Sequence, residues 1–131
     1  MGLDMYAYTA KKRIEDVPLF FDEDYSDKYL EYVYDEFWFW RKHPNLHGWF
    51  QELYLERGGV DDFNCVWIEL REQDLDRLEK DIKEGKLPFT QGFFFGKSNQ
   101  DELQKENDLK FVEEARRQIE DGFVVYYKSW W

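Results

Sequence analysis

The chain has 131 residues, with 29 acidic and 18 basic side chains and a net charge of −11. That length supports one core rather than two, and the negative field disfavours direct contact with nucleic-acid phosphates. No apolar run is long enough for a membrane-crossing helix, and Cys65, the lone cysteine, excludes an internal disulfide and fits a cytoplasmic setting.

The apolar content is unusual in kind, with 12 Phe, 9 Tyr and 6 Trp against 2 Met. Each buried aromatic removes a large area from water, so a small domain needs few of them. Six tryptophans exceed what a core of this size hides, and some are expected at the surface, where they favour partner contacts. The opening MGLDMYAYTA has neither the basic region nor the apolar run of a secretory signal.

In chain order, Leu3, Met5 and Ala7 alternate with Asp4, Tyr6 and Tyr8, which predicts a strand over residues 3–9. Residues 11–27 hold Pro18 and a dense run of acids and read as irregular, with a short strand at 17–21. Residues 28–36 stay open between a helix with Tyr29, Leu30 and Val33 on one face and a strand. From 35 to 41 the run of Phe and Trp favours a strand. It is expected to be central, with Phe37 and Phe39 on one side and Trp38 and Trp40 on the other.

Pro44 suits the first turn of a helix over 44–56, whose stripe is Leu46, Trp49, Phe50 and Leu53 and whose stop is Gly58 with Gly59. A strand over 64–70 follows, in which Cys65 is expected to be a buried, inert thiol. A helix over 72–84 carries Leu75, Leu78 and Ile82 and ends at Gly85. Residues 87–96 read as a loop with a short extended segment at 93–95. Asn99 or Asp101 begins a long helix reaching about 121, with Leu109, Val112, Ala115 and Ile119 as its stripe and Gly122 as its cap. Residues 123–131 form a last strand. The expected fold is α+β, a single domain over 1–131 with a mostly antiparallel sheet of about four to five strands packed with three helices.

The most distinctive local feature is residues 15–36, nine carboxylates against Lys28 alone, a net −8. Charge runs are ordinarily solvated faces. Here tyrosines, which anchor protein interfaces, are interleaved with the acids. Asp22, Glu23, Asp24, Tyr25, Asp27, Tyr29, Glu31 and Tyr32 are therefore the candidate partner-binding residues, suited to a basic surface on another protein. Asp22, Asp24 and Asp27 lack the glycine of a calcium-binding EF-hand loop. The alternative is a small ligand or nucleotide held by Trp40, Arg41, Lys42 and His47 at a helix N-terminus, with Asp61 and Asp62 beside them or paired with Arg41. No glycine-rich phosphate loop accompanies these residues.

His43 and His47 have the four-residue spacing of metal ligands on one helix face, but His43 is expected at the N-cap, off that face. No metal or other cofactor is expected. No serine lies in a GxSxG elbow, and neither histidine has a recognisable acidic orienter, so a non-enzymatic protein is expected, with a metal-dependent hydrolase as the remotest reading. The GFFFG run and the terminal Trp130 and Trp131 leave a homo-oligomer open.

Several motifs occur together. The chain opens MGLDMY and continues with FWRKHPNLHGWF, GVDD at 59–62, REQ before a helix at 71–73, GFFFG at 92–96 and Ser129–Trp130 near the end. In this it resembles a widespread family of small proteins encoded by bacteriophages and prophages, whose members carry a YWRKAN-x-IH-x-WF block and a final SSW. Trp40, Arg41, Lys42, Asn45, His47, Trp49 and Phe50 match that block directly. The chain departs from it at His43 and Pro44, and the acidic segment has no counterpart in the pattern. The resemblance carries no activity with it. It implies a phage-encoded accessory protein acting in the cytoplasm of an infected bacterium, where the expected partner is a host protein that it modulates, in the simplest case by inhibition.

Overall fold

A computed structural model of the chain describes residues 2–92, 96–98 and 101–131. The alternation at the start becomes strand β1 (Asp4–Lys12), and the acidic segment contains the short strand β2 (Phe20–Asp22). A 3-10 turn (Glu23–Tyr25) and the single-turn helix α1 (Ser26–Tyr29) follow, then a twelve-residue strand, β3 (Leu30–Arg41). Helix α2 (Pro44–Glu56), strand β4 (Val66–Leu70), helix α3 (Glu72–Lys83), helix α4 (Glu102–Glu120) and strand β5 (Val124–Trp130) complete the order. The strands form one sheet in the order β2-β4-β5-β1-β3, antiparallel throughout, so the fold is α+β.

Local signals explain most of the element ends. Pro44 occupies the first turn of α2, where its missing N–H costs no bond. Gly58 adopts φ +97° just past the end of that helix, a conformation that only glycine takes without strain. Asp101 caps α4 by accepting the N–H of Gln104 at 2.9 Å. The expected helix start at Asn99 and the extended segment at 93–95 lie outside the described residues.

Three long helices cover one face of the sheet. Leu46, Trp49, Phe50 and Leu53 of α2, Leu75, Leu78 and Ile82 of α3, and Phe111, Val112 and Ala115 of α4 meet Met5, Ala7, Ile68, Leu70, Val125 and Tyr127 of the strands. Each such side chain contributes about 1.5–3 kcal/mol by leaving water. Tyr127 is central: its ring stacks 3.9 Å from Phe50 and 5.9 Å from Phe63. On the opposite face Val17, Phe21 and Leu30 cover Trp67, Tyr126 and Ala10, so the acidic segment is tacked to the sheet by its own apolar residues.

β3 corrects two expectations. It is an edge strand, not a central one. Its register against β1 shifts at three places, leaving Glu31, Tyr34 and Phe37 as extra residues on β3. The shift at Phe37 breaks the alternation, and Phe37 and Trp38 both approach Phe111, at 6.0 and 5.9 Å. Phe39 instead lies on the opposite face beside Tyr6, at 5.4 Å.

Cys65 also differs from expectation. It precedes β4 with φ +59° and is only half-buried, and burial pushes its thiol pKa upward. The tryptophans divide as their number requires. Trp40, Trp49 and Trp67 are buried, while Trp130 is 62% exposed. Trp131 docks: its N–H donates to Asn64 Oδ1 at 3.0 Å and its indole N–H to the Phe63 carbonyl at 2.8 Å. No helix among the described residues is long and apolar enough to cross a membrane.

Candidate functional site

The acidic segment runs from the end of β2 at one edge of the sheet, through the 3-10 turn and α1, into β3 at the other edge. Of the sequence-derived partner residues, Glu23 is tied to Lys128 and Glu31 to Lys11 at 3.3 Å, so both are partly neutralised within the chain. The hydrogen bond from Lys128 holds the Glu23 carboxyl below its usual range. Asp22, Asp24 and Asp27 are exposed and have no ion-pair partner among the described residues. Tyr25 and Tyr29 lie 6.2 Å apart, and Tyr29 rests on Phe21 at 5.0 Å. Tyr32 and Tyr34 lie 5.5 Å apart and stand 54% and 50% exposed. The segment thus presents free carboxylates at one end and an open tyrosine pair at the other.

The alternative ligand set is scattered. Trp40 is in the core, 4.6 Å from Phe111. Arg41 projects from the opposite face and pairs with Asp4 at 3.6 Å, which corrects the expected pairing with Asp61 or Asp62. Lys42 adopts φ +54° and its stem lies against Gly96. His47 is fully buried, its Nδ1 2.7 Å from the Tyr127 hydroxyl and its ring stacked 5.1 Å from Phe63. That burial pushes the His47 pKa down to about 3, so the imidazole is neutral. Asp61 and Asp62 are exposed beyond the far end of α2.

His43 is the residue that sequence reasoning undervalued. It is the N-cap of α2, as expected, but it does have an acidic orienter. Its Nε2 lies 2.9 Å from Asp108 Oδ2 on α4, and its Nδ1 lies 2.7 Å from Ser98 Oγ. The Asn45 N–H donates to Ser98 Oγ at 3.0 Å, and Gln104 Nε2 donates to Asp108 Oδ1 at 3.1 Å. His43, Ser98 and Asp108 are 3%, 6% and 2% exposed. A cleft of about 270 Å³ opens beside this network, walled by His43, Asn45, Ile82, Leu87, Gln104 and Asp108. The only advance signal of the network was a histidine placed before a helix-starting proline; its partners lie 55 and 65 residues away. No group of three or more His, Cys, Asp or Glu among the described residues is placed to hold a metal ion. Compared with protein-family models, curated proteins and solved structures, the chain matches none of them.

Proposed function

We propose that the protein binds another protein through its acidic–tyrosine segment and modulates that partner. Following the resemblance to phage and prophage proteins, the partner is a host bacterial protein met in the host cytoplasm, and the simplest effect is inhibition. One observation carries this reading: residues 31–36 of β3 are exposed at every position, Tyr32, Val33 and Tyr34 included, and Asp22, Asp24 and Asp27 of the same segment are exposed with no ion-pair partner among the described residues. Exposed aromatics cost apolar contact with water, and a run of like charges would otherwise only keep them soluble.

The mode of contact follows from the register. A long edge strand is a template for adding a strand from another chain. Extra residues at Glu31, Tyr34 and Phe37 interrupt the ladder about every third position, so the edge is ill-suited to strand addition and the contact is made by side chains. A basic surface is the matching partner, since a second copy would bring carboxylates against carboxylates. The scattered positions of Trp40, Arg41, His47, Asp61 and Asp62 give a small-ligand reading no comparable support. Replacing Tyr32 and Tyr34 by Ser tests the proposal: partner affinity should drop by at least about tenfold while the thermal midpoint stays put. Unchanged affinity contradicts it.

A further inference from the structure

The cleft beside the start of α2 has a hydrogen-bond donor on its wall that the chain itself does not use. Asn45 is 7% exposed and is clamped at two points. Its backbone N–H donates to Ser98 Oγ at 3.0 Å, and its Oδ1 accepts the Thr90 N–H at 3.1 Å. A backbone N–H only donates, so the side-chain oxygen is the atom that faces Thr90, and Nδ2 is the other end of the amide. Nδ2 makes no hydrogen bond among the described residues, yet it is not sealed from solvent, and Asn45 walls the cleft. Its two hydrogens therefore open into the cleft. Such a donor, nearly enclosed and unpaired, costs free energy until an acceptor meets it.

We propose that this cleft binds a small uncharged carboxamide whose carbonyl oxygen accepts from Asn45 Nδ2; the site is separate from partner binding at the acidic segment. Three features set the class. Asn45 Nδ2 has hydrogens and no lone pair to offer, so the ligand must bring an acceptor. Ile82, Leu87 and Phe89 form an apolar wall, which suits a hydrocarbon or aromatic body. Asp101 and Glu102 line the cleft and outnumber Lys105, on a chain of net charge −11. An anionic acceptor such as a carboxylate is therefore repelled, whereas an N–H donor is favoured. A carboxamide meets all three conditions in one planar group.

Size and rigidity fit the same reading. At about 270 Å³ the cleft is smaller than the roughly 300–1,000 Å³ of drug-sized sites, so the ligand has the bulk of a single ring. The Thr90 and Ser98 contacts fix Asn45 before any ligand arrives, which lowers the ordering cost of binding. His43 and Asp108, also on the wall, lie 2.9 Å apart and tie the start of α2 to α4, so the two sides of the cleft are held together.

The test titrates the folded, isotope-labelled full-length protein with benzamide, benzoate and benzylammonium, probes that share a ring and differ in head group, and follows the nuclear magnetic resonance of the Asn45 side-chain amide. Benzamide should move that signal saturably, with a dissociation constant of about 1 mM or tighter. Benzoate brings its acceptor with a negative charge, and benzylammonium brings no acceptor, so each should bind at least about tenfold more weakly. Asn45→Asp keeps an oxygen toward Thr90 and removes both donor hydrogens, and should weaken benzamide by at least about tenfold. Leu87→Trp leaves Asn45 in place, fills the cleft and should abolish the shift. Comparing the three probes on the wild type requires no variant to fold. An Asn45 amide signal unmoved by benzamide, or benzoate bound as tightly as benzamide, overturns the proposal, as does undiminished benzamide binding by folded Leu87→Trp.

Discussion

At the scale of single residues, burial decides chemistry. His47 lies in the core against Phe63 and Tyr127, and its pKa drops from 6.5 to about 3. The unfolded chain takes up a proton near pH 6.5, whereas the folded chain does not until about pH 3. Between these values the unfolded state binds the extra proton, so stability falls as pH falls, by up to about 1.4 kcal/mol per pH unit. Denaturant midpoints measured from pH 7 down to 4.5 should therefore decline. That window lies above the range where Glu23, Glu56 and Glu79 protonate, because hydrogen bonds from Lys128, Arg77 and Arg116 hold these carboxyls below 4.5. His47→Gln should be less stable at pH 7 and show a shallower decline. A wild-type midpoint flat across the window would contradict this account of His47. The Ser98–His43–Asp108 network buries its polar groups in hydrogen bonds to one another.

At the scale of elements, Gly48 sets packing against propensity. Within a helix, alanine is favoured over glycine by about 1 kcal/mol. A Cβ at position 48, however, would land on Thr90 Oγ1 and come within 2.8 Å of Thr90 Cβ. Thr90 cannot easily yield, because its N–H donates to Asn45 Oδ1 and its hydroxyl to the Pro88 carbonyl. Gly48→Ala should destabilise by about 1–3 kcal/mol, and adding Thr90→Gly should recover part of the loss in thermal unfolding. A raised midpoint for Gly48→Ala would show that propensity wins. Such close packing has no trace in the local sequence, whereas the helices themselves do. Pro44, Gly58, Gly85 and Gly122 mark their ends, and apolar spacing of three and four marks their buried stripes. β3 was the hardest element to read, since three extra residues against β1 destroy the period of two and its edge position depends on pairings formed far along the chain. The His43 network was hidden for the same reason: Ser98 and Asp108 acquire meaning only when α4 packs beside the start of α2.

At the scale of the whole molecule, charge and apolar surface are arranged together. The helices are devoted to the core, while the acidic segment uses Val17, Phe21 and Leu30 to hold the sheet's other face and turns its carboxylates and tyrosines outward. A net −8 in 22 residues steers a basic partner over roughly the 8–10 Å that salt leaves unscreened. The most direct measurement is affinity capture from bacterial lysate with the wild type and with a variant carrying Asp22→Lys, Asp24→Lys and Asp27→Lys, three acids with no ion-pair partner among the described residues. The account predicts one stoichiometric partner on the wild type, weakened by added salt and absent from the variant at equal stability. A partner retained by the variant, or none captured by the well-folded wild type, would contradict it.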